Sequence, residues 1–149
     1  MDCNNATLYG LPAVQYNRLQ RMFNIAARIL TLTKRTEHIT PILRSLHWLP
    51  IEKRVQYKIL LLTFKTVHNL APPYLCELIK PYTNARHLRS SSMNLLHVPK
   101  TRTKTFGDRA FSVAAPVLWN ALPASVRSID SVNVFKKRLK TILFNDAYS

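Results

Sequence analysis

Seven carboxylates, five histidines and two cysteines are the side chains from which this 149-residue chain could assemble a reactive centre, and their spacing assembles none. Asp2, Glu37, Glu52, Glu77, Asp108, Asp130 and Asp146 are never adjacent and never three or four apart. No two of them share a helix turn in the way a two-metal site requires. His38, His47, His68, His87 and His97 fall in no HExxH or CxxC-like pattern, so each reads as a packing or phosphate-contacting side chain. Cys3 and Cys76 have no second Cys or His at ligand spacing, which argues against a disulfide framework and a zinc knuckle and fits a reducing compartment. A phosphate-cradling loop needs glycines, and the chain has only Gly10 and Gly107. Ser90-Ser91-Ser92 lacks the strand–turn–helix setting of a nucleophile elbow and reads as loop. No catalytic residue, metal site or cofactor is expected.

What remains is positive charge. Twenty-two Lys and Arg against seven acids give +15, and every third of the chain contributes to that excess. Self-repulsion of this size is relieved by a polyanion, so nucleic acid leads as partner and an anionic membrane follows. The densest stretch holds Arg86, Arg89, Lys100, Arg102, Lys104 and Arg109 against Asp108 alone. Within it Lys100, Arg102 and Lys104 alternate as on one face of a strand. An ordinary solvated loop has the same composition. Arg21 and Arg28, seven apart, share the polar face of a helix, and Lys58 stands on the polar stripe of another. The phosphate-contact candidates are thus Arg21, Arg28, Lys58, Lys100, Arg102, Lys104 and Arg109. Trp48 and Trp119 can stack bases, but both are flanked by apolar residues and prolines, and core anchoring is the preferred reading for them and for Phe111. Lys136-Lys137-Arg138-Leu139-Lys140 looks like a nuclear-import cluster, yet Phe135 and Leu139 recur at helical spacing and make it the polar face of an amphipathic helix.

The elements that must carry these residues are set by nine prolines. Leu19, Met22, Phe23, Ala26, Ile29 and Leu30 predict an amphipathic helix from Ala13 to about Thr33 with those residues on its dry side. Thr40-Pro41 reads as N-cap and first turn of a short helix through Leu46. Pro50 opens the longest helix, to about Leu70, and a short one follows at Tyr74 to Ile79. Asn94–Val98 and Arg102–Phe106 read as two strands. Helices return at Phe111–Leu122 and at Val132–Phe144, the last with Ser131 as N-cap and Val134, Phe135, Leu139, Ile142 and Leu143 inward. The fold class is therefore mainly α, a helical bundle with one small β-hairpin at about residues 94–106. Residues 1–80 form a helical region, 81–109 a basic loop and hairpin, and 110–149 the C-terminal helices, in one domain or two small lobes. With 47% hydrophobic residues the chain can bury a core. It has no apolar run of membrane-spanning length and no signal-peptide pattern, so a soluble, intracellular protein of nucleus or cytoplasm is expected.

Six blocks carry a resemblance: CNNATLYGLP (Cys3–Pro12), LQRMFNIAARILT (Leu19–Thr31), HITPILRSLHWLPIEKRVQYKILLLTFK (His38–Lys65), LAPPYL (Leu70–Leu75), TFGDRAFSVAAPVLWNALP (Thr105–Pro123) and VFKKRLKTILF (Val134–Phe144). Together they resemble, in order, the C-terminal part of the reverse transcriptases of LINE-type (non-LTR) retrotransposons of the jockey-like and Rex-like group. The resemblance implies a helical thumb and post-polymerase region of a larger enzyme, whose 1–80 part is thumb-like. The family's Tyr-x-Asp-Asp metal-binding turn has no counterpart here, since no Asp-Asp pair exists in the chain, and the endonuclease residues are missing too. No catalytic role transfers to any residue. The start, Met1-Asp2-Cys3-Asn4, reads as a methionine just before a block that normally lies mid-protein, which implies a remnant reading frame. The expected function is non-catalytic, sequence-independent contact with the backbone of RNA or an RNA–DNA hybrid. The rival expectation is a structural segment that packs on the polymerase domain and is inert when severed. A third, a basic surface for an acidic protein partner, has no motif of its own.

Overall fold

The computed structural model describes residues 5–83, 94–103 and 106–149. Among these the protein is mainly helical, with seven α-helices: α1 (Ala13–Thr31), α2 (Ile39–Ser45), α3 (Ile51–Val67), α4 (Pro73–Cys76), α5 (Phe111–Asn120), α6 (Ala124–Arg127) and α7 (Val132–Tyr148). Short 3-10 helices stand at Asn5–Leu8 and Gly107–Arg109. Prolines set most of the starts. Pro12, Pro50, Pro72 and Pro123 immediately precede α1, α3, α4 and α6, where the fixed φ fits and the missing amide has no helical acceptor to lose.

Helix α3 is the hub, touched by α5, α7, α1, α4 and the N-terminal 3-10 helix. Its apolar residues wrap more than half its circumference, as the run Ile59–Leu62 predicts, and Val55, Ile59, Leu60 and Phe64 are buried. They meet Ala115 and Trp119 of α5 and Phe135, Leu139 and Leu143 of α7 in one core. At its centre Phe64 stacks on Phe135 with ring centroids 4.3 Å apart, and Trp119 closes on both rings. Residues before position 80 and after position 110 thus share this core. A smaller core gathers Ala27, Ile42 and Leu43 with Phe23, Trp48 and Tyr148 where α1 meets α2.

Several boundaries differ from expectation for local reasons. Helix α2 begins at Ile39, so Thr40 lies inside it and caps nothing, while Pro41 still falls in the first turn, where no intrahelical amide bond is lost. Ser131 occupies the N-cap position of α7 without a side-chain cap bond, and α7 runs one turn further than predicted, to Tyr148. Val134, placed inward on α7, is exposed. Helix α5 continues through Pro116, which forgoes the amide bond to the Ser112 carbonyl and is fully buried.

The largest difference is in α1. Of the residues expected on its dry side, Leu19, Met22, Ala26, Ile29 and Leu30 are exposed. The face that packs keeps only Phe23 of that set and adds Tyr16 and Ala27. Val14 and Ile25 extend the exposed apolar face. Amphipathic spacing is present, but the neighbours in this chain cover the edge of the stripe, not its middle.

The expected hairpin between 94–98 and 102–106 is not seen among the described residues, which omit 104 and 105. Leu96 bridges antiparallel to Pro81 instead. Tyr82 N–H donates to the Leu95 carbonyl (2.9 Å), and His97 N–H to the Lys80 carbonyl (2.9 Å). The opposite edge is occupied by a side chain. Leu96 N–H donates to Asn120 Oδ1 (2.9 Å) and Asn120 Nδ2 donates to the Leu96 carbonyl (2.8 Å). An amide side chain so placed mimics a strand neighbour, which leaves these backbone groups no further partner to seek.

Candidate nucleic-acid interface

Helix α3 places Arg54, Tyr57, Lys58 and Leu61 along one side, since residues three and four apart share a face. Helix α7 presents Lys140 opposite them, and the connector between α2 and α3 supplies His47, Trp48 and Leu49. Together they line a cleft of about 420 Å³. Four of the eight lining side chains are cationic or imidazole, two are aromatic, and none is a carboxylate. In a chain with so few acids that is not surprising, yet the convergence of helices far apart in sequence is a tertiary fact.

The walls are held in place. Phe23 backs the Trp48 indole at 4.7 Å between ring centroids and carries the Arg54 guanidinium 4.9 Å from its own centroid. Trp48 N–H donates to the Leu43 carbonyl (2.9 Å), and the Trp48 carbonyl accepts from the Tyr148 hydroxyl. His47 adopts a left-handed backbone (φ 53°) and stacks on Phe144 at 5.7 Å. Lys53 pairs with Asp146 and ties α3 to α7 beside this region. Burial raises the Tyr57 phenol above its ordinary value, so it stays a neutral hydroxyl at physiological pH.

A second cleft, of about 590 Å³, lies between the N-terminal segment, α1, α3 and the 3-10 turn before α5. Tyr9, Tyr16, Glu52, Asp108 and Arg109 line it. Burial first, then the Asp108 and Glu52 carboxylates, raise the Tyr9 phenol, and burial followed by Glu52 raises that of Tyr16. Here charge of both signs is mixed, and a polyanion gains little. Arg109 serves the fold: Nε donates to the Tyr9 carbonyl (3.0 Å), and its side chain crosses Gly10. An added Cβ at Gly10 (φ +70°) would lie 2.5 Å from Arg109 Cγ, so both the turn and the crossing require glycine.

No family model matches this chain, and no curated protein or solved structure does either.

The structure separates the candidate contact residues. Lys58 is in the first cleft and Arg109 in the second. Arg21 is exposed on α1. Arg28 donates through its two terminal nitrogens to the Lys34 and Glu37 carbonyls, both at 2.7 Å, and so fastens the α1–α2 loop. Lys100 and Arg102 are exposed on the segment that follows Leu96. Lys104, with Arg86, Arg89 and Cys3, lies outside the described residues. The two tryptophans part company: Trp119 is wholly buried and donates from Nε1 to the Asn94 carbonyl (2.8 Å), whereas Trp48 is half-buried on the cleft wall. Phe111 packs half-buried against the main core, as an anchor.

The sequence did not point to Arg54, Tyr57 or Lys140 as contact residues, and it left His47 between packing and phosphate contact. The Arg54–Lys58 spacing was a usable signal, because four residues apart on a helix means one face. Nothing in the sequence joins that face to Lys140. Among the described residues no group of His, Cys, Asp and Glu could hold a metal ion, and no helix is long and apolar enough to cross a membrane.

Proposed function

We propose that this chain corresponds to the thumb and post-polymerase region of a LINE-type non-LTR retrotransposon reverse transcriptase of the jockey-like or Rex-like group. Its own activity, in nucleus or cytoplasm, is sequence-independent binding to the backbone of RNA or an RNA–DNA hybrid, without catalysis. The observation that supports this most directly is the cleft in which Arg54, Lys58 and Lys140 converge beside Trp48 and Tyr57 with no carboxylate in its lining. Cations that displace counterions from phosphates give affinity without sequence preference, and aromatic walls add contact that every base can meet. Lys100 and Arg102, on the exposed segment expected from the sequence to form a basic hairpin, add charge outside the cleft.

The test is fluorescence anisotropy of the full chain with labelled RNA and RNA–DNA hybrid at two salt concentrations. Binding with little sequence preference is expected, with the logarithm of affinity falling by about 0.7 to 0.9 per phosphate contact for each log unit of salt. Absence of binding at low salt overturns the reading.

The alternative, a segment that packs on the polymerase domain of the parent protein, draws on a different observation: the exposed face of α1 formed by Val14, Met22, Ile25, Ile29 and Leu30. Large side chains of this kind each gain about 1.5–3 kcal/mol on burial. Arg18, Arg21 and Arg28 on the same helix, with no carboxylate on it, disfavour a second copy as the cover and favour a surface with an acidic rim.

A further inference from the structure

The cleft between α3, α7 and the α2–α3 connector has a composition more particular than a phosphate-binding groove needs. Backbone contact alone calls for cations on an exposed ridge. Here Lys58 and Lys140 share their recess with Trp48, Tyr57, Leu49 and Leu61, so that positive charge stands beside an apolar, partly aromatic wall. Its volume, about 420 Å³, falls within the roughly 300–1,000 Å³ of sites that take small organic molecules. A recess of this kind fits a ligand with one anionic end and one flat aromatic body.

The wall is also prepared in advance. Phe23 supports the Trp48 ring, and the Trp48 backbone is bonded at N–H and carbonyl to two different helices, α2 and α7. A stacking platform fixed before the ligand arrives loses little entropy when it binds. Bases inside a duplex are already stacked and paired, and only an unpaired base has a free face to offer such a platform.

We propose that this cleft takes a single unstacked nucleotide of a single strand, its phosphate held by Lys58 and Lys140 and its base laid against Trp48 and Tyr57. The inference rests on the nucleic-acid reading above and names the unit that the site accepts. It makes the chain a binder of unpaired strand at this cleft, whereas paired regions are held by outlying basic residues such as Lys100 and Arg102.

The experiment uses the full chain and two readouts, the anisotropy of an end-labelled oligouridylate and the intrinsic tryptophan emission. The chain has two tryptophans, and Trp119 is fully buried, so a ligand-dependent change reports Trp48. Oligouridylate is expected to change the emission with the same midpoint as the anisotropy, while a blunt RNA duplex leaves the emission unchanged. Trp48→Phe removes the emission change and retains binding, and Trp48→Ala weakens oligouridylate binding about 5- to 100-fold. Lys140→Gln and the Lys58→Gln, Lys140→Gln pair weaken it progressively, with circular dichroism confirming the fold. Anisotropy that reports binding without any emission change, or with the double variant unaffected, overturns the nucleotide cleft and leaves the nucleic-acid reading standing. So does a duplex, or polyglutamate, that changes the emission as strongly as the oligonucleotide. No binding of any strand at low salt overturns the nucleic-acid reading itself and the cleft assignment with it.

Discussion

Asn120 shows how one side chain decides a local fold. Its amide exchanges two hydrogen bonds with the backbone of Leu96, whose side chain is buried in the main core, and the adjacent Trp119 donates one from Nε1 to the Asn94 carbonyl. The Trp-Asn pair in the block TFGDRAFSVAAPVLWNALP is thus a clamp on the 94–98 segment. Gly10 and Arg109 play a comparable part, joining the first of the resemblance-bearing blocks to this one through the Tyr9 carbonyl. These positions in the two blocks serve packing and backbone pairing, with no chemistry assigned to them. Asn120→Asp keeps the shape but loses the donor to the Leu96 carbonyl. It is expected to cost about 1–3 kcal/mol, which for a domain of this size lowers Tm by about 2–4 °C per kcal/mol in a thermal melt. An unchanged melt would show that the clamp is dispensable.

At the scale of elements, α1 and α3 make an instructive contrast. Both have apolar periodicity, and for α3 it translated directly into burial because α5, α7, α1 and the N-terminal 3-10 helix surround it. For α1 it did not, since α2 and α3 cover only the Tyr16–Phe23–Ala27 edge. Met22→Gln with Ile29→Gln is expected to change stability by less than about 0.5 kcal/mol per site, as for surface positions. Nucleic-acid affinity should stay as it was in the same double variant. Ala27→Leu, by contrast, overfills a fully buried contact and should cost about 1–3 kcal/mol in chemical denaturation. Strong destabilisation by the surface pair would mean that the α1 face is covered within the chain itself.

The whole molecule is a strongly basic helical body, and four of its tyrosines give it a pH response. Burial raises the phenols of Tyr9, Tyr16, Tyr57 and Tyr148 above the ordinary 10.0. The folded state therefore holds these protons more tightly than the unfolded one. The stability this confers is complete below pH 10 and is lost as pH rises through the folded values. Denaturation measured just below and well above pH 10 should show a fall, smaller in Tyr57→Phe. The same change with pH in Tyr57→Phe as in the unsubstituted chain would contradict it. The comparison with the phenylalanine variant isolates the phenol contribution from every other pH effect.

Length, helix positions and charge are local or additive properties, and they were legible residue by residue. Pro50 marked the start of α3, periodicity marked α1, α3 and α7, and the tally of Lys and Arg pointed to a polyanion, whereas α6 was not expected and α4 is shorter than the Tyr74–Ile79 expected. The lack of a paired-carboxylate or metal-ligand pattern is likewise a property of spacing. Which face of α1 is covered, which partner the Leu96 backbone chooses, and that Lys58 meets Lys140 and Trp48 in one cleft were decided only by tertiary structure. Each depends on surfaces separated by tens of residues, and periodicity says that a face is apolar without saying what lies against it. The seven basic candidates were chosen for local charge, but a binding site is a convergence in space. Lys58 joins one, Arg28 and Arg109 hold loops together, and Arg54, Tyr57 and Lys140 enter from outside the original set.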